Sequence, residues 1–372
     1  MKHSLFALAL ISTSVFAFDD VIMNIKTSFD EVVFQDLKVK EMMINGGSAN
    51  GLLPSGAFKG NSDAKIAARG LAIESQRQAW DIAAKAHVTQ DFETAKLALN
   101  AIQWGFLPSI AGADGSWPNQ DKETVTTMAT IHNKSVFLYS AVRTLRLLKN
   151  IPLLGEPAIE VDQFRAGVNQ VIVRAAFSAN WMASSQNTKD FLANAIKLGK
   201  QTNQMFFIAV AIVEAGILAG DKELIKSGRV YVDQILPIIT SEGVFPEGSG
   251  NANGYIFDSG YQTVSMELLA RYISFLKPSA NKDALVATLI KTTNRFLQTV
   301  RKNGRINTSK NSRTEACGAP VLGPEDSKGP SIDKFPFRVR YLAYLLGKEA
   351  TYFPIADSIM AAGQGYDHIG CH

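Results

Sequence analysis

Apolar residues recur at three- and four-residue steps through almost the whole chain, and the joints between these stretches alternate between short and long. Asn61–Ala86 carries the helical period, and Thr89-Gln90-Asp91 caps a second helix that reaches Trp104. The pattern resumes over Glu123–Lys149, runs on after a turn to Met182, and continues in Met205–Ala219, Lys222–Ile239, Gln262–Leu276 and Lys282–Lys302. Short helices are predicted at Phe337–Leu346 and Ile355–Ala362, and another near Phe191–Leu198 within the irregular stretch Ser184–Gln204. The short joints are 150–156, 220–221 and 277–281, and the long ones are 105–122, 183–204, 241–261 and 303–334. Antiparallel helices connected in this way bring every long joint to one end. No alternating strand pattern competes. The expected fold is all-α, an α/α toroid or incomplete barrel of antiparallel helix hairpins. A solenoid of helix pairs is the alternative, but no repeat of about 34 residues is present.

Apolar residues at 46% and charged residues at 19% suffice for one large core. Lys2 and His3 precede an apolar run, Leu5 to Ile11, and then Ser14-Val15-Phe16-Ala17. That order reads as a secretory signal peptide over 1–17, followed by a single domain over 18–372 in the periplasm or outside the cell. A membrane span needs about 20 apolar residues. No stretch reads as one, so no membrane partner is expected. The formal charge of +4 is too small for a nucleic-acid-binding balance. Cys317 and Cys371 are a candidate disulfide in an oxidising compartment, or two unpaired thiols. Their number and spacing do not make a metal site. A monomer is expected.

The loops at the common end are where functional residues are expected on a rigid helical scaffold. Residues 105–122 supply Asp114 and Trp117, and 241–261 supply Phe245, Glu247, Tyr255, Asp258 and Tyr261. Trp117 and Phe245 either stack on sugar rings or plug the ends of the helical core. The last loop is basic, with Arg301, Lys302, Arg305, Lys310 and Arg313 and no acid until Glu315. Such a run is either a solvated face or a device that attracts a polyanion.

Three stretches, in order, resemble the hyaluronate, chondroitin AC and xanthan lyases. Thr202-Asn203-Gln204-Met205 is similar to their Thr-Asn-Trp-Trp helix start. Glu242-Gly243-Val244-Phe245 with Ser259-Gly260-Tyr261 resembles their Asp-Gly-Ser-Phe loop and Gly-x-Tyr-Gly helix start. Asn303-Gly304-Arg305-Ile306-Asn307 resembles their Arg-Gly-Arg-x-Ile-Ser loop. The resemblance implies a helical catalytic domain acting on an acidic polysaccharide by β-elimination. Asn203 would neutralise the uronate carboxylate, Tyr261 would act as base or acid, and Arg305 would hold the tyrosine and the developing charge. Trp117, Phe245, Glu247, Gln204 and Arg313 are the expected substrate contacts. The family's loop histidine falls at Gly248 here. His132, otherwise a hydrogen-bonded core histidine, and then Tyr255 are the substitutes for that group.

Elimination across C4–C5 needs the carboxylate neutralised before the weakly acidic C5 proton leaves. Fixed amide and guanidinium donors do this, and a tyrosine can serve as either base or acid. Neither metal nor cofactor is required. Two other functions fit less of the pattern. A glycoside hydrolase would use paired carboxylates drawn from Asp114, Glu247, Asp258 and Glu315. A non-catalytic glycan-binding protein would keep the aromatics and the basic loop without depending on Tyr261.

Overall fold

The computed structural model describes residues 29–46, 49–65, 71–118, 127–153, 155–247, 256–307, 334–362 and 366–367. The fold is all-α. Its helices are α1 (Phe29–Val33), α2 (Leu37–Gly46), α3 (Ala79–Thr89), α4 (Phe92–Trp104), α5 (Thr127–Asn150), α6 (Ala158–Ser184) and α7 (Gln186–Leu198). They continue as α8 (Thr202–Ala219), α9 (Lys222–Ile235), α10 (Ser259–Ser274), α11 (Ala280–Leu297), α12 (Lys334–Leu346) and α13 (Glu349–Ala361). Among the described residues the only named strands are a two-residue parallel pair, Ile306–Asn307 with Tyr366–Asp367.

From α3 onward the helices pair in sequence: α3 with α4, α5 with α6, α8 with α9, α10 with α11, and α12 with α13. The first member of each pair also packs on the first member of the next, α3 on α5, α5 on α8, α8 on α10, and α10 on α12. These first members form an inner layer and the second members an outer one. Helix α2 packs against both α3 and α12, and the rings of Trp80 and Phe337 meet 5.8 Å apart between those same two helices.

Local chemistry explains the joints. Asp91 and Asp221 cap α4 and α9, each accepting from the second and third N–H groups of its helix. Helix α9 buries one stripe, with Leu224, Ile225, Tyr231, Val232 and Ile235 inward. Helix α8 is buried nearly all round, because α5, α6, α9 and α10 all pack on it. It is long and apolar enough to cross a membrane, which corrects the sequence expectation, but 78% of it is buried inside the protein.

Asn61–Ala86 is not one helix. A 3-10 turn covers Lys59–Asn61, a second covers Ile73–Gln78, and α3 begins only at Ala79. Two buried amides hold this stretch. Asn61 exchanges hydrogen bonds with both backbone groups of Ala72. Gln76 accepts from the Phe58 N–H and donates to the Gly56 and Ala101 carbonyls. Polar side chains that capture backbone groups compete with helix. The joint 183–204 is also corrected. It is a complete helix, α7, which buries Thr188, Phe191, Leu192 and Ala195 at helical spacing. The signal peptide, Tyr255, Lys310, Arg313, Glu315, Cys317 and Cys371 lie outside the described residues.

Candidate functional site

Helical spacing alone lines up the interior. On α5, His132, Tyr139, Arg143 and Arg146 share one face; on α8, Asn203, Phe207 and Glu214 do; on α10, Gly260, Thr263, Glu267 and Arg271 do. Their contacts show that these faces meet. Arg143 clasps Asp30 through Nη2 at 2.8 Å and donates from Nη1 to Glu267 at 2.7 Å. Arg271 donates to Asp30 at 2.6 Å and from Nε to Glu214 at 2.7 Å. Arg146 reaches Glu214 at 2.8 Å, and Arg338 on α12 reaches Glu267 at 2.8 Å. The Arg143 guanidinium also lies over the Trp80 ring, 3.8 Å from its centroid.

This network sets the charge states. Burial alone would push the Asp30 carboxyl up, but the Arg143 and Arg271 guanidiniums outweigh it and hold Asp30 well below the usual carboxylate range. Glu214 is lowered against its own burial by Arg271 and Arg146, and Glu267 by Arg143 and Arg338. Burial pushes the Tyr139 phenol up. The three carboxylates are therefore ionised structural partners. The sequence reading missed them, although Glu214 is the one charge inside the apolar run Met205–Ala219 and was a legible signal.

The ends where α8 and α10 begin are stitched together by 243–247. At the start of α8 the Thr202 N–H and hydroxyl both donate to the Pro246 carbonyl, at 3.2 and 2.7 Å. This satisfies an N–H that the helix cannot. Buried Gln262 braces the same loop: Oε1 accepts from the Phe245 N–H at 3.0 Å, and Nε2 donates to the Gly243 and Thr292 carbonyls. Gly243 has φ +83° and lies against the Lys291 backbone, where a side chain would not fit. Asp258 caps α10 by accepting from the Tyr261 N–H at 3.0 Å. The Glu247 N–H closes the base of the loop on the Ile256 carbonyl.

The predicted residues fall into separate groups. Asn203 is buried, and its Oδ1 accepts from the Gln204 N–H at 2.7 Å, which makes Nδ2 the end that remains to donate. It continues the face of Phe207 and Glu214 toward the loop end. His132 is half-buried and packs on Phe207, with ring centroids 6.1 Å apart. Tyr139 meets the same ring at 5.3 Å. Tyr261 is half-buried in the first turn of α10, and Gln204 is half-buried beside Asn203. Glu247 is buried in the loop.

Two aromatic expectations are corrected toward the core. Trp117 is fully buried, donates from Nε1 to the Gly105 carbonyl at 2.8 Å and packs edge-on against Phe137. Phe245 is buried edge-on against Phe206. Neither offers a ring face to a sugar; both plug the ends of the helical layers. Asp114 is exposed, with Oδ1 accepting from the Ser116 hydroxyl and N–H. Arg305 is exposed in the tight turn 301–305, where Gly304 at φ +80° abuts the Ser358 backbone at the end of α13. That seat is on the outer layer, not on the interior faces. Among the described residues, no group of three His, Cys, Asp or Glu side chains is arranged to hold a metal ion. Compared with known proteins, the chain matches no family model and no curated protein sequence.

Proposed function

We propose that this protein is an exported lyase that cleaves a uronic-acid-containing polysaccharide by β-elimination, on an α/α toroid formed by the inner and outer helix layers. The observation that carries the reading is the stitching of the α8 and α10 helix starts. Thr202 and Gln262 tie the 243–247 loop to the first turns of α8 and α10, the turns that carry Asn203 and Tyr261. In the reaction the Asn203 amide donates to the uronate carboxylate, so that negative charge gathers on a neutralised group. A base removes the C5 proton, the C5–H electrons form the C4–C5 double bond, and the C4–O4 bond breaks with a proton delivered to O4. Tyr261 is the residue assigned to proton transfer, and His132, on the face next to Phe207, is the second candidate.

A glycosidase needs one carboxyl kept protonated near neutral pH. Of its candidate acids, Asp114 is held below the usual carboxylate range by hydrogen bonds from Ser116, and the interior Asp30, Glu214 and Glu267, held ionised by guanidiniums, offer no substitute. The test is a panel of alginate, hyaluronate, chondroitin and other uronate polysaccharides, followed by near-ultraviolet absorbance of the unsaturated product. Absorbance that rises with wild type and not with Tyr261→Phe supports the reading. Reducing ends released without that absorbance would replace it with hydrolysis.

A further inference from the structure

The interior network is not electrically balanced, and the imbalance has an address. Four guanidiniums, from Arg143, Arg146, Arg271 and Arg338, face three carboxylates, from Asp30, Glu214 and Glu267, a difference of 4 − 3 = +1. Arg143 and Arg271 each bind two carboxylates. Arg146 and Arg338 bind one each, but Arg146 is buried, whereas Arg338 is the most exposed of the seven, with 14% of its side chain accessible against 10% or less for the others. Its Nε is spent on Glu267 at 2.8 Å and its Nη1 on the Thr263 hydroxyl at 3.0 Å. Nη2 makes no hydrogen bond to the described residues. Thr263 in turn donates to the Gly260 carbonyl at 2.8 Å, so the guanidinium is anchored to the first turn of α10, the turn that carries Tyr261.

We propose that Arg338 is the anion-recognising residue of the interior, and that its outward edge takes the carboxylate of a uronate sugar. The ligand class rests on the lyase reading; the charge and geometry of the site do not. A guanidinium whose Nε and Nη1 are locked by a carboxylate and a hydroxyl offers its remaining edge in a fixed orientation, which suits a planar carboxylate. It sits on the network's loop-facing side, where an incoming anion meets the surplus positive charge in a partly desolvated setting. Arg305, the loop arginine expected from sequence, lies in an exposed turn against α13, away from this network. Arg338 is thus a binding and specificity residue of the proposed site, not an acid or base.

The experiment is an NMR titration of the full chain with D-glucuronate, with D-glucose as the neutral counterpart, on wild type, Arg338→Ala, Arg338→Gln and Arg305→Ala. Arg338→Gln keeps a hydrogen-bond donor for Glu267 and guards against a variant that fails to fold. The expected result is saturable glucuronate binding by wild type, at least tenfold weaker in both Arg338 variants, with no matching response to glucose. Glucuronate binding unchanged in a folded Arg338 variant, lost only in Arg305→Ala, or absent from wild type overturns the assignment. Binding that depends on Arg338 in a protein that eliminates no uronate polysaccharide keeps the anion site and sinks the lyase reading.

Discussion

The interior holds two kinds of polar construction, and they differ in what their side chains bind. Midway along the inner helices, Asp30, Arg143, Glu214, Glu267 and Arg271 bind one another, side chain to side chain, across elements far apart in sequence. At the loop end, Thr202, Gln262 and Asp258 bind backbone groups. The first arrangement fixes which helices are neighbours. The second fixes the path of a loop. Ion pairs in low dielectric are worth little in net stability but are expensive to break singly, because a lone buried charge remains. Side chain to backbone bonds cost less to lose and act locally. These five side chains are therefore scaffold, and the loop end, with Arg338 on the side of the network that faces it, is where a change can alter the proposed chemistry without unfolding the chain.

The largest effect is expected at Arg271. Arg271→Met strips one partner from both Asp30 and Glu214, and both carboxylates are buried completely. A loss of about 3–5 kcal/mol in urea-unfolding stability is expected. A loss below about 1 kcal/mol would erase the distinction between the two constructions. Acid is the milder way to break the same network. Asp30, Glu214 and Glu267 have folded-state pKa values below their unfolded ones. The unfolded chain therefore binds more protons in the window between those values, and stability falls as pH drops. The contribution is complete above about pH 5 and is lost progressively below about pH 4. Asp30→Asn should lower stability at neutral pH and flatten the acid limb. Urea melts from pH 7 to pH 3 with parallel slopes for the two proteins would contradict the charge assignment.

The same contrast explains what could be read from sequence. Helix α8 was legible because its apolar run carries a single charge, Glu214, and Asp91 and Asp221 announced their helix starts through cap chemistry. The partners of Glu214 were not legible: its guanidiniums stand on α5 and α10, and no local pattern encodes such a pairing. Asp30 is harder still, since it reaches Arg143 across 113 residues and Arg271 across 241. Asn61 and Gln76 carry ordinary helix-compatible neighbours, and only their long-range backbone partners reveal the turn they impose. At the site, the adjacency of the Asn203 and Tyr261 helix starts followed from the order of the loops. The seating of Trp117 did not, because its burial depends on Phe137 and the Gly105 carbonyl. Arg305 is marked by the resemblance of its loop, whereas nothing local marks Arg338, one arginine on an inner helix.

Gln262 tests the loop end at intermediate cost. Gln262→Leu leaves the Phe245 N–H and the Gly243 and Thr292 carbonyls without their buried partner. About 1–3 kcal/mol of stability should go, well short of Arg271→Met. Proteolytic cleavage within 241–247 should rise, and turnover should fall with it. Cleavage unchanged from wild type would mean that the loop is held by other contacts, and that stitching is not what organises the site.

Removing the Asn203 side chain should have the smallest stability effect. Its Oδ1 accepts one hydrogen bond, from the Gln204 N–H in the first turn of α8. Asn203→Ala removes one hydrogen bond to a first-turn N–H, so about 1 kcal/mol is expected. The proposed chemistry asks far more of it, because removing one fixed donor at a developing charge typically costs about 10²-fold or more in turnover. Asn203→Asp separates the two roles. The aspartate keeps an oxygen for the Gln204 N–H, and a carboxylate near a helix start is favoured by the helix dipole. Asn203 is buried, however, and the desolvation of the new charge outweighs that gain, so Asn203→Asp should be the less stable of the two variants by about 1–3 kcal/mol. The same change replaces the donor Nδ2 with negative charge where a uronate carboxylate would sit, so turnover should fall further than in Asn203→Ala. Calorimetry and product absorbance on the two variants read the two roles independently. If Asn203→Asp is the more active of the two, Asn203 belongs to the scaffold, and the line between network and loop end must be drawn elsewhere.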